Sequence, residues 1–535
     1  MPETVDATPV SAPHEAPWVP KFNPWLIAVV VALAAFMEVL DTSIANVALP
    51  HMAGDLGASN DQSTWVLTSY LVSNAIILPI SGWLAGVFGR KRFFLTCIVL
   101  FTVSSLLCGA APNLAALIVF RVIQGVGGGG LQPMAQAILA DVFPPEKRGM
   151  AFALYGITAV TAPTIGPTLG GWITDNYSWR WIFYINLPVG ILTLFLAARL
   201  VEDPPWLKRA KAAVRIDYIG IGLLALGVGA LQVLLDKGQE DDWFGSRFIV
   251  TLILVSSVCL ISLVIWEWFN ATPIIDVRLF KSFNFAMSNL MMFVLGLSLF
   301  SALVMMPQFL QTLLGYTAES AGLVLSGSGL VLLMEMPLVG VLTSKFPTKY
   351  IIGFGWIALA LAMFYSTQRL DLSIDFRSAA WLRVAQGAGL GFLFVPISLA
   401  CYIGIPPEKS NSVSGIVNFM RNIGSSVGTS MVTTLLARRA QLHQAYLGAH
   451  ATTYDPAFRN QVSGLAQTLV HSGLSAADAK AQAMGRIYQS LLAQSQALAY
   501  IDTFTVLAIG AAIMFLLSFI LRRNDPSAGS RIAVE

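Results

Sequence analysis

Fourteen stretches of about 20 largely apolar residues follow one another along the chain, and that succession leaves few folds open. They cover roughly 24–49, 62–87, 93–111, 114–139, 148–174, 179–201, 216–235, 247–269, 286–314, 318–344, 349–368, 378–403, 410–437 and 500–521. A helix of that length crosses the roughly 30 Å hydrocarbon core of a bilayer, where only helices and closed barrels satisfy their own backbone groups. Composition agrees: 56% of the 535 residues are hydrophobic and 11% charged, with a mean hydropathy of +0.70, against about 25% charged in soluble domains. The fold class is all-α and integral to the membrane.

Several functions drop out at once. A net charge of +3 points to no nucleic-acid role. Cys97, Cys108, Cys259 and Cys401 stand singly inside apolar runs, with no CxxC, and read as packing. His14, His51, His443, His450 and His471 have no metal-ligand spacing, so neither a metal nor a cofactor is expected. Gly125 to Gly130 satisfies GxGxxG but follows no strand and lies inside a membrane run, and no GxxxxGK[ST] occurs, so a nucleotide site is rejected.

Lys and Arg set the orientation. One set of loops carries Arg90, Lys91, Arg92, Lys147, Arg148, Lys208 to Arg215, Arg278, Lys281, Lys345, Lys349, Lys409, Arg522 and Arg523; the other carries only Arg180, Lys237, Arg247, Arg369 and Arg377. The positive-inside rule then puts both termini in the cytoplasm, as an even span count requires. Residues 1–23 are Pro-rich with no apolar h-region and read as a disordered cytoplasmic tail, not a cleaved signal; 522–535 form a second tail.

An internal repeat divides the chain. RVIQGVGGG at 121–129 returns 262 residues later as RVAQGAGLG at 383–391. At the same offset Pro144-Pro145-Glu146-Lys147 returns as Pro406-Pro407-Glu408-Lys409, and Gly166 as Gly428. The fourth span thus corresponds to the twelfth and the fifth to the thirteenth. Two six-helix halves, 24–201 and 270–521, flank a two-helix insert at 216–269 reached by a basic linker, 202–215. Within the second half a Gln-rich periplasmic loop, 438–499, shows helical stretches at 457–472 and, from a capping box at Ser475 to Asp478, on to about Ala499. It has too few large apolar residues for a core of its own.

The chemistry concentrates at Phe36–Pro50. Glu38 and Asp41 lie three residues apart, on one face of the first span. An acid at mid-membrane depth costs about 2.5–3.5 kcal/mol on insertion scales, so both are expected to face a wet cavity and to handle a proton or cation. Glu38 alternatively just bonds a neighbour. Counting helical rise from the periplasmic ends puts Arg121 at a depth similar to Asp41. Protonation of Asp41 would then release the arginine. Glu335 either lines a substrate cavity and attracts cations or sits paired near the cytoplasmic end. Arg383, Asn418 and Arg421 are further intramembrane polar residues, the last more structural or gating than ligand-binding.

These features resemble the EmrB/QacA-type drug:proton antiporters of the major facilitator superfamily, most closely the EmrB type, over essentially the whole length. The resemblance rests on LDTSIANVALP at 40–50, RVIQG at 121–125, GPTLGG at 166–171, WRWIFYINLPVG at 179–190, and on Asp236-Lys-Gly238 and Leu279-Phe280-Lys281-Ser282 in and after the insert. It implies the major facilitator fold and proton-driven export of hydrophobic or amphipathic compounds from the bacterial inner membrane. The proton gradient would be the energy source, and no enzyme activity is implied. Asp41, Glu38 and Arg121 would couple the proton, and Gln124 and Asn46, with Glu335, would line the substrate cavity. Pro163, Gly166, Pro167, Gly170 and Gly171 would form the antiporter motif. It further implies a periplasmic membrane-fusion adaptor, EmrA-like, and a TolC-type outer-membrane channel as partners. The helix 2–3 loop keeps Gly82, Gly89, Arg90 and Lys91, but Gly86 stands where the superfamily carries an acid, so the usual charge clasp cannot form through that residue. The alternative on the same fold is a proton-coupled metabolite carrier; a non-transporting receptor or enzyme is disfavoured by the lack of any catalytic constellation.

Overall fold

The computed structural model describes residues 20–205, 216–452 and 454–522. The tail expected at 1–19, most of the basic linker (206–215) and the tail from 523 lie outside the described residues; Asn23, within the expected N-terminal tail, instead caps the first helix through Trp25 N at 2.9 Å. The membrane helices are α1 (Pro24–Asp55), α2 (Trp65–Phe88), α3 (Arg90–Gly109), α4 (Leu114–Val142), α5 (Pro145–Asn176), α6 (Trp181–Leu200), α7 (Tyr218–Lys237), α8 (Arg247–Phe269), α9 (Phe283–Leu314), α10 (Ala318–Lys345), α11 (Thr348–Arg369), α12 (Phe376–Ala400), α13 (Ser410–His450) and, after the short α14 (Pro456–His471), α15 (Ala476–Ser518). Thirteen of them are apolar enough to cross a membrane by composition alone, which makes this a multi-pass membrane protein. The other long one, α13, spans with Asn411, Asn418 and Arg421 turned inward and so falls short on hydropathy.

Helix ends follow local chemistry. Asn113, Asp217, Thr317, Asp375, Asp455 and Ser475 each accept a backbone N–H as N-caps. Gly89 turns α2 into α3 at φ +87°, a region costly to side chains. Two boundaries differ from expectation. α1 runs past Pro50 to Asp55. The sixth span begins at Trp181 rather than 179, stays helical through Ile185 at φ −59° and ψ −26°, and buries Asn186.

The segment 438–499 carries both helical stretches expected of it, the first as α14 and the second, capped by Ser475, as the start of α15; the length of the helices entering and leaving it was not expected. α13 has 41 residues and α15 has 43, so each is about 60 Å long, twice the bilayer core. Both continue out of the membrane as unbroken rods, and α14 packs back on α15. Contrary to the expectation of no core, Val462 and Leu469 pack on Ala479 and Ala483, sealed by Phe458, Leu465 and Ile487. Alanines there let α14 approach closely, so few large residues suffice. At the base, Asp502 holds His443 at 2.9 Å and Arg439 at 3.7 Å, tying α15 to α13.

The insert braces the seam between the halves. Gln232 of α7 exchanges hydrogen bonds with Ser426 of α13 at 2.8 and 3.0 Å, while Lys237 Nζ reaches Thr64 Oγ1 at 2.6 Å and Thr68 bonds Asp236. α8 carries large apolar residues outward, among them Leu254, Ile261 and Phe269, as a lipid-facing helix does.

At the basic end the halves touch backbone to backbone. A Cβ on Gly82 would stand 2.8 Å from the main chain of Asn411 and Ser412, whereas one on Gly86 meets nothing within 4 Å. An ion pair forms at this corner without residue 86. Arg90 and Asp141 are both buried and form an ion pair at 2.6 Å, and Asp141 Oδ1 accepts from Ser410 Oγ of the second half at 3.0 Å. Lys91 ties the same corner to α6 through Ala198 O at 2.6 Å, and its N–H donates to Asp203 at 2.7 Å.

Gly82→Leu should therefore wedge α2 from α13. Spin labels on Arg92→Cys and Glu408→Cys should report a longer distance in that variant, and an unchanged one in Gly86→Leu.

Candidate functional site

α1 carries two acids into the interior, and they end in different cages. Asp41 is 2% exposed. Its Oδ2 accepts from Arg121 Nη1 at 2.6 Å; its Oδ1 accepts from Gln124 Nε2 at 2.9 Å and Asn186 Nδ2 at 2.7 Å. Arg121 is wholly buried, donates from Nε to Val66 O at 3.1 Å and from Nη1 to Gln124 Oε1 at 2.9 Å, and lies 4.3 Å over the Tyr70 ring. Asn186 also donates to Ser105 Oγ at 3.0 Å. The cage thus draws on α1, α2, α3, α4 and α6 of the first half. Gln124, expected in the substrate cavity, instead spends both ends of its amide on the pair, because i,i+3 spacing from Arg121 sets it beside the same carboxylate. Asn46, also expected to line the cavity, is exposed and makes none of these bonds.

Glu38, one turn nearer the basic end, has no cation in direct contact among the described residues. Its Oε1 accepts from Tyr70 OH at 3.1 Å and Asn74 Nδ2 at 3.0 Å, and its Oε2 accepts from Gln132. Gln132 Oε1 in turn accepts from Arg421 of α13 and from Tyr155 OH at 3.0 Å. Asn418 donates to Gln136 Oε1 at 2.8 Å beside them. One amide therefore stands between a carboxylate of the first half and a guanidinium of the second. Tyr70 touches both cages, with its hydroxyl on Glu38 and its ring under Arg121.

The antiporter motif packs on α1 directly after Asp41. A Cβ on Gly166 would clash with Ser43, and one on Gly170 would stand 3.0 Å from Ile44 O; Gly171 has only Val47 at 3.9 Å. Pro167 has no N–H to bond the carbonyl of Pro163, and Ser43 Oγ donates to that carbonyl at 3.3 Å. Any shift of α5 is therefore felt at the Asp41 turn.

The remaining candidates fall outside these cages. Glu335 of α10 lies against Gly391 of α12, half-buried, with Oε2 unbonded among the described residues. Arg383, 2% exposed, donates from Nη1 to Gln386 at 2.9 Å, while its Nε has no partner among the described residues. Among the described residues no cluster of His, Cys, Asp and Glu suits a metal.

Sequence reasoning missed Tyr70, Asn74, Gln132, Asn186 and Asp141. The first three are polar residues at helical spacing inside apolar runs, a readable signal; Asn186 sat inside a quoted motif without a role. Asp141 stands at the end of a span, where a carboxylate ordinarily reads as solvated.

Comparisons with known proteins agree with this fold. A model of the Major Facilitator Superfamily matches residues 31–429. The chain is 42% identical to the multidrug export protein EmrB of Haemophilus influenzae, over 81% of this chain and 84% of that one. It is 38% identical to EmrB of Escherichia coli K12, over 83% and 86%. Among solved structures it resembles the proton:xylose symporter XylE, with a TM-score of 0.58 and 14% identity over 94% of this chain and 97% of that one, which speaks to the fold.

The buried pair has a thermodynamic signature. Removing one partner strands the other charge, which costs about 3–5 kcal/mol, whereas removing both costs far less. Asp41→Asn and Arg121→Gln should each lower the thermal midpoint of the purified protein, and the double variant should lose less than the sum of the two.

Proposed function

The chain belongs to the major facilitator superfamily, and from that premise we propose that it is a proton-driven multidrug exporter of the bacterial inner membrane, with both termini cytoplasmic and no enzyme activity or cofactor. The observation that carries this reading is the Asp41–Arg121 pair, an acid and a base buried together within the membrane. A carboxylate held by three N–H donors is stable while charged. A proton arriving on Asp41 removes the attraction to Arg121 and leaves the guanidinium to Val66 O, Gln124 and the Tyr70 ring. Arg121 and the proton thus compete for one carboxylate, and α5, seated on Ser43 and Ile44, registers which one holds it.

Glu38 extends the same logic across the halves. Its charge aligns Gln132 toward Arg421, and a proton on Glu38 weakens that link. Together with Arg90–Asp141–Ser410 it latches the halves on the cytoplasmic side, so this conformation is closed toward the cytoplasm. Tyr70, in contact with both carboxylates' cages, conveys one protonation to the other. One proton moving inward supplies about 2.3 kcal/mol per 100 mV, so at an assumed ~150 mV it sustains a substrate gradient of a few hundred-fold.

EmrB-type relatives motivate a tripartite assembly, with a periplasmic membrane-fusion adaptor and a TolC-type channel carrying substrate past the outer membrane. The protruding rods of α13 and α15 with α14 are the surface proposed for the adaptor. They stand about 30 Å clear of the bilayer core and leave Leu442, Tyr446, Tyr454 and Tyr488 exposed.

Two experiments test the reading. In proteoliposomes with an imposed pH gradient, Asp41→Asn should abolish export of the neutral dye Nile red while exchange without a gradient persists; gradient-driven export at the wild-type rate would refute the coupling role. Replacing 441–497 by a short Gly/Ser linker should leave export in proteoliposomes intact and remove drug resistance in cells. Normal co-purification of the adaptor with that variant would mean that the adaptor docks elsewhere.

A further inference from the structure

The 262-residue repeat places a second arginine cage in the second half, and that cage lacks its acid. Arg121 and Gln124 return as Arg383 and Gln386, with the same bond from arginine Nη1 to glutamine Oε1, 2.9 Å in both halves. The glutamine's other end differs: Gln124 holds Asp41, while Gln386 Nε2 donates to Ser366 Oγ at 2.9 Å. At the same offset Asp41 becomes Leu303, Val66 becomes Ser328 and Tyr70 becomes Leu332. All three replacements line one cleft with Arg383. The second half has kept the cation and lost both the carboxylate that neutralised it and the ring that covered it.

An arginine side chain stays protonated in a protein, and an unpaired buried guanidinium costs several kcal/mol. Arg383 is 2% exposed, enters no ion pair among the described residues, and has its Nε unbonded. Glu335 does not serve it: that acid lies against Gly391, eight residues along α12, about 12 Å by helical rise. Gln386 holds Nη1 and leaves the Nε edge of the fork, which engages a carboxylate side-on. Besides the hydroxyl residues Thr164 and Ser328 the cleft is apolar, with Leu299, Leu303, Leu332 and Leu390 around it, and it is closed on the first-half side by Ala159 and Pro163 of α5. In this conformation it has narrowed to about 10 Å³, so a ligand enters as the halves part.

We infer that Arg383 is the receptor for the acidic head group of amphipathic monoanionic substrates, whose carboxylate takes beside Arg383 the place Asp41 occupies beside Arg121. The leucine walls receive the apolar body. Because α5 closes the cleft, a bound anion joins the second half's cation to the helix that registers Asp41, which puts substrate and proton on the two repeats of one device. The inference rests on the export reading and deepens it by naming a substrate class.

The test is equilibrium binding of dansyl-undecanoic acid and its methyl ester, followed by dansyl fluorescence, to the purified full-length protein in nanodiscs near neutral pH. The acid should bind at least about tenfold more tightly than the ester. Arg383→Gln should bring the acid down to the ester's affinity. Leu303→Asp, which restores an internal carboxylate beside Arg383, should cost the acid at least about tenfold more affinity than it costs the ester, which loses only one wall residue; it also tests the site should Arg383→Gln fail to fold. Equal affinity for acid and ester in the wild type would overturn the inference. So would a preference for the acid that survives both substitutions, or a Leu303→Asp loss shared equally by the ester. Transport separates the two readings. Acid-selective binding without gradient-driven export of either probe would sink the export reading and leave the site, whereas export with no acid preference would do the reverse.

Discussion

The structure depends on a buried ion pair that has to be stable in one protonation state and not in the other. Asp41 and Arg121 sit at 2.6 Å, both buried, and the desolvation of two charges is offset by partners around them, with Arg121 Nη2 left without a hydrogen bond among the described residues. Gln124, Asn186, Ser105 and the Val66 carbonyl supply those partners, and each comes from a different helix or turn. That requirement explains local features otherwise hard to place. Asn186 is a buried amide inside an otherwise apolar sixth span, joining Asp41 to Ser105. α5 is glycine-rich where it crosses α1, so the helix seated on the Asp41 turn has no side chains to cushion it.

A carboxylate within each half's reach of an arginine would give a symmetric machine; this chain is asymmetric. The first half holds a closed acid–base cage, the second an open basic one, and a single glutamine, Gln132, stands between Glu38 and Arg421 at the seam. In the account proposed here, proton, substrate and closure fall on three separate polar groups rather than on one. The Arg90–Asp141–Ser410 clasp is of a different kind. It lies at the membrane end and joins α3 and α4 to α13 without any part from residue 86.

How much of this was legible in the sequence depends on the range of the interaction. Apolar runs, basic loops and the repeated RVxQG words are local signals and carry the helices and the halves with them. Asp41 and Arg121 were also legible, since depth along a helix follows from counting residues. The partners were not, because which donors reach a buried carboxylate is decided by helix rotation: Gln124 turns to the pair and Asn46 turns away, although both sit in quoted motifs. In the 438–499 segment the two helical stretches and the Ser475 cap were legible, but the continuity of α13 and α15 out of the membrane and the small core under α14 were not. Polarity marks exposure to water, and a long amphipathic rod leaving the membrane is as polar as a loop; the alanine-lined contact of α14 with α15 offers no large side chains for a pattern to register.

The central claim is that one carboxylate exchanges an arginine for a proton. Purified protein in weakly buffered detergent, with a pH-sensitive dye, measures this directly as protons released when Nile red is added. Wild type and Glu38→Gln should both release protons on substrate addition, and Asp41→Asn should release none. Wild-type release from Asp41→Asn, with Glu38→Gln silent, would contradict the account and move the exchanged proton to the seam between the halves.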